Sequence, residues 1–173
     1  MPRVGIALGS NLGDRLANLQ AARVRLREIA TPGGLFLQAS TYQTEPLLCP
    51  PGSPLFYNSV VEIAFDGNPF ELLELTRSIE NQLGRAGSPE RNAPRVIDVD
   101  LLYFGDARID TESLVLPHPR LGGRRFVLQP LAEIRPDLIL PGQTRNLAAL
   151  LDRLESGEPP LVLVTGAPDP GHG

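Results

Sequence analysis

The sequence predicts an α+β domain in which helices pack on a sheet, and three observations carry that expectation. Short runs of alternating apolar and polar residues are separated by longer runs with helical spacing, and turn-forming residues mark the junctions. The two kinds of run also come in the order strand, helix, strand, strand, helix, strand over the first 104 residues.

Arg3 to Leu8 alternates and then meets Gly9-Ser10-Asn11-Leu12-Gly13-Asp14, a turn-rich run whose Asp14 can cap a helix. Leu16, Leu19, Leu26 and Ile29 recur at helical spacing, which predicts an amphipathic helix over 15–29, stopped by Thr31-Pro32-Gly33-Gly34. Residues 35–43 return as a second strand. The run TEPLLCPPGSP, Thr44 to Pro54, holds four prolines and a glycine and is expected to be a fixed surface loop. A third strand follows over Phe56–Phe65, with Phe56, Asn58 and Val60 on one face. Asn68-Pro69-Phe70-Glu71 offers an N-cap, a proline at the first helical position and a capping acid; Leu72, Thr76, Ile79 and Leu83 mark the buried stripe, and Gly84 closes the helix. The loop RAGSPERNAPR then leads into the strand RVIDVDLLYF.

This order matches the split βαβ, ferredoxin-like arrangement, a βαββαβ core. Beyond it, SLVLPHPRLGGRRFVLQPLAEIRPDLILP adds a short extended piece and a helix, and Asn146 to Leu154 adds another. The domain is expected to span residues 1–158, followed by a Pro/Gly-rich tail over 159–173 with a short strand in LVLV.

A chain of 173 residues fits one domain. The single Cys49 allows no internal disulfide and no spaced Cys/His zinc set, which suits a reducing cytosol. The N-terminal stretch lacks the pattern of a signal peptide, and no apolar run reaches the ~18 residues of a membrane span. A cytoplasmic, monomeric protein is the expectation. The net charge of −4 and pI near 5.2 argue against a general nucleic-acid surface. All sixteen basic residues are arginine, so the lysine of a Walker P-loop and the strand lysine of protein kinases are excluded. Any phosphate clamp here is built from arginine; coding bias is the plainer account of the composition.

Asp98 and Asp100 lie on one face of an apolar strand, roughly 6.5 to 7 Å apart. Arg85, Arg91 and Arg95 precede them and Arg120, Arg124 and Arg125 follow. Two carboxylates so placed suit Mg²⁺, which takes one or two carboxylates and leaves its other positions to water and substrate phosphates. Ions on a di- or triphosphate would support in-line displacement at phosphorus while arginines hold the remaining oxygens. The alternative is a solvated sheet face, or pairing with Arg95 and Arg124. His118, between Pro117 and Pro119, is either a phosphate donor or a turn histidine. Phe56 and Asn58 combine a flat apolar surface with an amide, a set that reads a planar heterocycle; core packing is the alternative. Glu80, an acid in a helix's last turn, opposes the macrodipole and calls for a basic partner.

Taken together, GIALGSNLGDR, YQTEPL followed by FYNSVVEI, ELLELTRSIENQLGR, RNAPRVIDVDLLYFGD and LPHPRLGGRRFVLQPLAEI resemble the 6-hydroxymethyl-7,8-dihydropterin pyrophosphokinase family of folate biosynthesis, over about residues 3 to 155. The resemblance implies transfer of diphosphate from ATP to the hydroxymethyl group of the reduced pterin, with release of AMP. It places two Mg²⁺ ions on Asp98 and Asp100, and implies catalytic roles for these two residues and for Arg85 and Arg95. It implies ATP contacts at Glu80, Arg85, Arg95, Leu101, His118 and Arg124, and a pterin pocket of Thr44, Pro46, Leu47, Phe56, Asn58 and Phe126. Glu45, Gly87, Asn92 and Pro119 depart from the family pattern. Two other readings are a related nucleotide-dependent transferase and a ferredoxin-like ligand-sensing or RNA-binding module without catalysis; Mg²⁺-dependent ATP binding separates the second from an enzyme.

Overall fold

The structure is a computed structural model describing residues 2–44, 55–84, 96–154 and 161–165. Its centre is β1 (Arg3–Ser10), flanked by β4 (Phe56–Ala64) on one side and β5 (Asp98–Phe104) on the other, both antiparallel to it. Outside β4 lie β2 (Phe36–Gln38) and β3 (Thr41–Thr44), and β8 (Val162–Thr165) pairs with β3, so the sheet runs β5-β1-β4-β3-β8 with β2 also on β4. Between β5 and β8 come a small hairpin, β6 (Ile109–Asp110) and β7 (Val115–Leu116), then α3 (Arg125–Ile134) and α4 (Leu147–Asp152).

Helix α1 (Arg15–Ile29) links β1 to the β2/β3 edge with β4 lying between them. Helix α2 (Pro69–Gln82) links β4 to β5 with β1 lying between them. Two strand–helix–strand units are thus interleaved, and the sheet is antiparallel throughout. The expected caps are in place. Asp14 accepts from the Ala17 amide, and Asn68 accepts from the Glu71 amide while its own amide donates to the Glu71 carboxylate. Gly84, at φ +111°, follows the end of α2 in a conformation that side chains disfavour.

Both faces of the sheet are covered. On one, Leu19 and Leu26 of α1 and Leu72 and Ile79 of α2 pack on Val4, Ile6, Leu8, Val61, Ile63, Val99 and Leu101. On the other, Leu128 and Leu131 of α3 and Leu147 of α4 pack on Val60, Leu102 and Tyr103. Each fully buried leucine contributes about 1.5–3 kcal/mol.

The structure departs from the expected elements in two places. The second strand, expected unbroken over 35–43, is two pieces, because its register on β4 shifts by one residue between Gln38↔Val61 and Tyr42↔Asn58. The extra residue bulges at Ala39–Ser40, and the Ser59 hydroxyl lies 3.1 and 3.0 Å from the carbonyls of Ala39 and Ser40. The first strand, expected to end at Leu8, continues through Gly9 and Ser10, which pair with Asn58 and Tyr57.

At the end of the sheet where β1 begins, Glu62 is fully buried and compensated. Arg3 donates to its Oε2 from Nε (2.8 Å) and Nη2 (2.6 Å), while Arg135 and the Tyr103 hydroxyl both reach Oε1. Tyr103 crosses β1 to get there, which requires Gly5: a Cβ at that position would lie 2.3 Å from the tyrosine ring. Burial, then the Glu62 charge and hydrogen bond, push the Tyr103 phenol far above its ordinary value.

Candidate active site

The opposite end of the sheet carries Asp98, Asn58, Phe56 and Thr44, residues singled out from the sequence. Cross-strand register sets Asp98 beside Gly9, Gly9 beside Asn58 and Asn58 beside Tyr42, one row across β5, β1, β4 and β3. The adjacent row sets Asp100 beside Ala7 and Ala7 beside Val60. Directly paired residues share a face, and Val60 belongs to the α3 side, so both aspartates, Asn58 and Phe56 all face that side. Two strand spacings put Asp98 and Asn58 about 9 to 10 Å apart in backbone terms.

A bulge in β5 sets the phase of the acid pair. Gly5 pairs with Tyr103 but Ile6 pairs with Leu101, which leaves Leu102 as the extra residue. Val99 and Leu101 therefore enter the core under α1 and α2, while Asp98, half-buried, and Asp100, exposed, turn to the other face. Asp98 and Asp100 are held from behind by Glu80 of α2, 95% buried, whose Oε2 accepts the Val99 amide at 2.8 Å. The adjoining loop expected to supply a basic partner for Glu80 lies outside the described residues; the Val99 bond registers the end of α2 on the acid-bearing strand.

Asn58 is also fixed. Its Nδ2 donates to Thr44 Oγ1 at 2.6 Å, and its Oδ1 lies over Gly9, 2.8 Å from where a Cβ would be. Phe56 flanks the same glycine, its Cδ1 3.7 Å from that position. Thr44, Phe56 and Asn58 thus form one platform, with Thr44 and Phe56 directly paired. Phe126, in the first turn of α3, packs partly buried against the second core, and the Arg124 guanidinium carbon lies 6.0 Å from its ring centroid.

His118 sits on the outer edge of β5, where its amide donates to the Leu102 carbonyl at 2.7 Å; the peptide bond before Pro117 is cis. Its Nδ1 accepts the Arg120 amide at 3.1 Å, which leaves the proton on Nε2. Burial, then the charges of Arg120 and Arg124, lower its pKa below the usual 6.5, so at neutral pH the ring is an uncharged donor through Nε2.

Leu101 is the predicted site residue that the structure does not bring to this surface. Alternation points its side chain into the core under α1 and α2, where it is 4% exposed, which leaves its backbone as the part of Leu101 nearest that surface. Pro46, Leu47, Arg85 and Arg95 lie outside the described residues. Gly9, read from sequence as part of a turn, is the floor between Asp98 and Asn58 and was missed; the signal was the alternation of Val4, Ile6 and Leu8 against Gly5, Ala7 and Gly9.

Among known proteins, the family described as 7,8-dihydro-6-hydroxymethylpterin-pyrophosphokinase matches residues 5–136, more than half of the chain. The chain belongs to this pyrophosphokinase family. A 2-amino-4-hydroxy-6-hydroxymethyldihydropteridine pyrophosphokinase of Bacillus subtilis is 47% identical over 129 residues, 75% of this chain and 75% of that protein. One from Methylorubrum extorquens is 43% identical over 154 residues, 88% and 95% of the two chains. A folic acid synthesis protein of Dictyostelium discoideum is 37% identical, over 80% of this chain but 20% of its own length. The fold recurs in the crystal structure of wild-type Plasmodium falciparum HPPK-DHPS with pteroate, at a TM-score of 0.68 and 14% identity; 88% of this chain and 44% of that longer one are covered. Members of the pyrophosphokinase family are ATP-dependent diphosphotransferases. No helix among the described residues is long and apolar enough to cross a membrane.

Proposed function

We propose that this chain transfers the β,γ-diphosphoryl group of ATP to the hydroxymethyl oxygen of 6-hydroxymethyl-7,8-dihydropterin and releases AMP, a step in folate biosynthesis. The observation that carries the reading is the row Asp98–Gly9–Asn58, which sets an acid pair and a heterocycle platform on one sheet face with only a glycine between them. The interleaved units of the sheet are, in this reading, the ferredoxin-like arrangement.

The pterin edge would be read by Asn58, whose amide is oriented by Thr44 and keeps Oδ1 and one N–H for the ligand. Phe56 and Phe126 would lie against its ring faces. The donor set of the acid pair fits a hard divalent cation: two carboxylates on one face, one half-buried and one exposed. Asp98 and Asp100 would hold two Mg²⁺ ions, which when bound neutralise charge on the triphosphate and on the oxygens around the reacting phosphorus. His118 would donate from Nε2 to the nucleotide and Arg124 would supply fixed positive charge, with Arg85 and Arg95 as further cations. The hydroxymethyl oxygen bonds to the β-phosphorus, the bond from that phosphorus to the α,β-bridging oxygen breaks, and AMP leaves with the electron pair. Positioning and electrostatics supply most of the rate, so the hydroxyl proton needs no strong protein base; Asp100 is a candidate acceptor.

The decisive experiment incubates the protein with ATP, Mg²⁺ and the reduced pterin and follows nucleotides by phosphorus NMR. AMP formed in step with pterin diphosphate is expected. ADP alone, or AMP without dependence on the pterin, overturns the reading.

A further inference from the structure

Glu133 lies near the end of α3, away from the reacting groups, yet its carboxylate gathers three hydrogen bonds from the β2–β3 segment. Oε2 accepts the Ser40 amide at 2.8 Å and the Ser40 hydroxyl at 2.9 Å, and Oε1 accepts the Tyr42 hydroxyl at 2.7 Å. Tyr42 stands next to Asn58 in the cross-strand row, and two residues on is Thr44, the partner of the Asn58 amide. Along α3, Phe126, Gln129 and Glu133 are spaced by three and then four residues, so they line one face of the helix. Glu133 is exposed, so burial does not hold it in this position.

The helix needs such a pin. Pro130 has no amide hydrogen, so the Phe126 carbonyl has no donor four residues ahead, and the first turn of α3 is held less firmly from within. Side chains reach about 5–6 Å from a helix axis, so a rotation of about 10° would carry the Phe126 ring about 1 Å. Misplacement on that scale can cost up to about a hundredfold in rate.

We propose that Glu133 is a positioning residue for the heterocycle pocket: by clamping α3 to Ser40 and Tyr42 it fixes the angle at which Phe126 faces the Thr44–Asn58 platform. The inference rests on the pterin reading above. Specificity for a flat substrate then depends on a contact about two helical turns from the ring that touches it.

The test is steady-state kinetics of Glu133→Ala, Glu133→Gln and Tyr42→Phe, each with its thermal midpoint, and of Glu133→Ala in a Phe126→Ala background. Glu133→Ala is expected to raise KM for the pterin about tenfold and KM for ATP less than twofold. Glu133→Gln keeps an amide oxygen for Ser40 and should recover to within about threefold of wild type, with Tyr42→Phe between the two. In the Phe126→Ala background the same alanine should add less than twofold, since the ring it positions is gone. A purely structural role would instead shift the midpoint and both KM values together, and the two substitutions would act independently. Either that pattern or an unchanged pterin KM in folded Glu133→Ala and Tyr42→Phe overturns the inference alone. A wild-type protein with no pterin-dependent AMP formation overturns the reading beneath it, and the inference with it.

Discussion

Replacing Gly9 with alanine perturbs the pocket at its most constrained point. The new Cβ would lie 2.8 Å from Asn58 Oδ1, against 3.4 Å or more for an ordinary contact, so Oδ1 must retreat by about 0.6 Å (3.4 − 2.8). The backbone at Gly9 accepts alanine, since its φ is not in the positive region. What gives is the Asn58 amide, and its Nδ2 is held at 2.6 Å by Thr44. Weakening that bond costs about 0.5–1.5 kcal/mol. The smaller conformational freedom of alanine in the unfolded chain offsets about 0.4–1 kcal/mol. Net stability should therefore stay within about 1 kcal/mol of wild type. Binding should not: misaligning two heterocycle hydrogen bonds removes about 1.4–3 kcal/mol, about ten- to a hundredfold in affinity. The three atoms nearest the added Cβ belong to Asn58 and Phe56 and none to Asp98, so the nucleotide side is spared. Steady-state kinetics with each substrate varied, together with urea unfolding, measure both halves. A pterin KM within twofold of wild type in the folded variant would refute the assignment of Asn58, as would an equal rise in KM for ATP.

Three further outcomes follow. Asp98→Asn and Asp100→Asn should each lower kcat at least a hundredfold while changing stability by about 0.5 kcal/mol or less, since both lie at the solvent-facing end of the strand; full activity in either, by AMP assay, removes the acid pair from the mechanism. Glu62→Gln should destabilise by about 3–5 kcal/mol in urea, because two arginines lose a buried carboxylate, yet leave both KM values unchanged in the folded fraction; a loss under about 1 kcal/mol contradicts the burial argument. His118 has a folded pKa below its ordinary 6.5, so the unfolded chain binds the proton first as pH falls, and its contribution, complete above 6.5, is lost as pH drops toward the folded value. Urea midpoints between pH 7 and 5 should fall more steeply in wild type than in His118→Asn, and identical slopes would contradict the shift.

Much of the fold could be read from periodicity because its signals are local. Asp14, Asn68 and Gly84 terminate helices through bonds spanning three or four residues. The bulges could not be read this way. The break at Ala39–Ser40 depends on Ser59, about twenty residues on, and the bulge at Leu102 on pairing with β1 far upstream. The site divides along the same line. Asp98, Asp100, Phe56 and Asn58 announce themselves by alternation on their own strands, whereas Gly9 matters only once Asn58 is paired with it, and Glu133 only once α3 lies on β3. Leu101 joins the list by resemblance alone: its phase on β5 sends the side chain into the core, so nothing in its own alternation marks it as a site residue.

One property of β1 accounts for both ends of the sheet. On the face toward α3 it offers Gly5, Ala7 and Gly9, the smallest side chains available, so the strand forms a trough between β4 and β5. At Gly5 the trough is filled from β5: the Tyr103 ring crosses it to reach Glu62, and two arginines close the network. At Gly9 it is entered from β4, by the Asn58 amide and the edge of Phe56, and on the β5 side Asp98 is paired with it. The same absence of side chains thus admits a tyrosine ring across the strand at Gly5 and an amide over it at Gly9. The Glu62 network ties β1, β4 and β5 together at one end, and at the other the Thr44 hydroxyl orients the Asn58 amide over Gly9, so each glycine is matched to the side chain that crosses it.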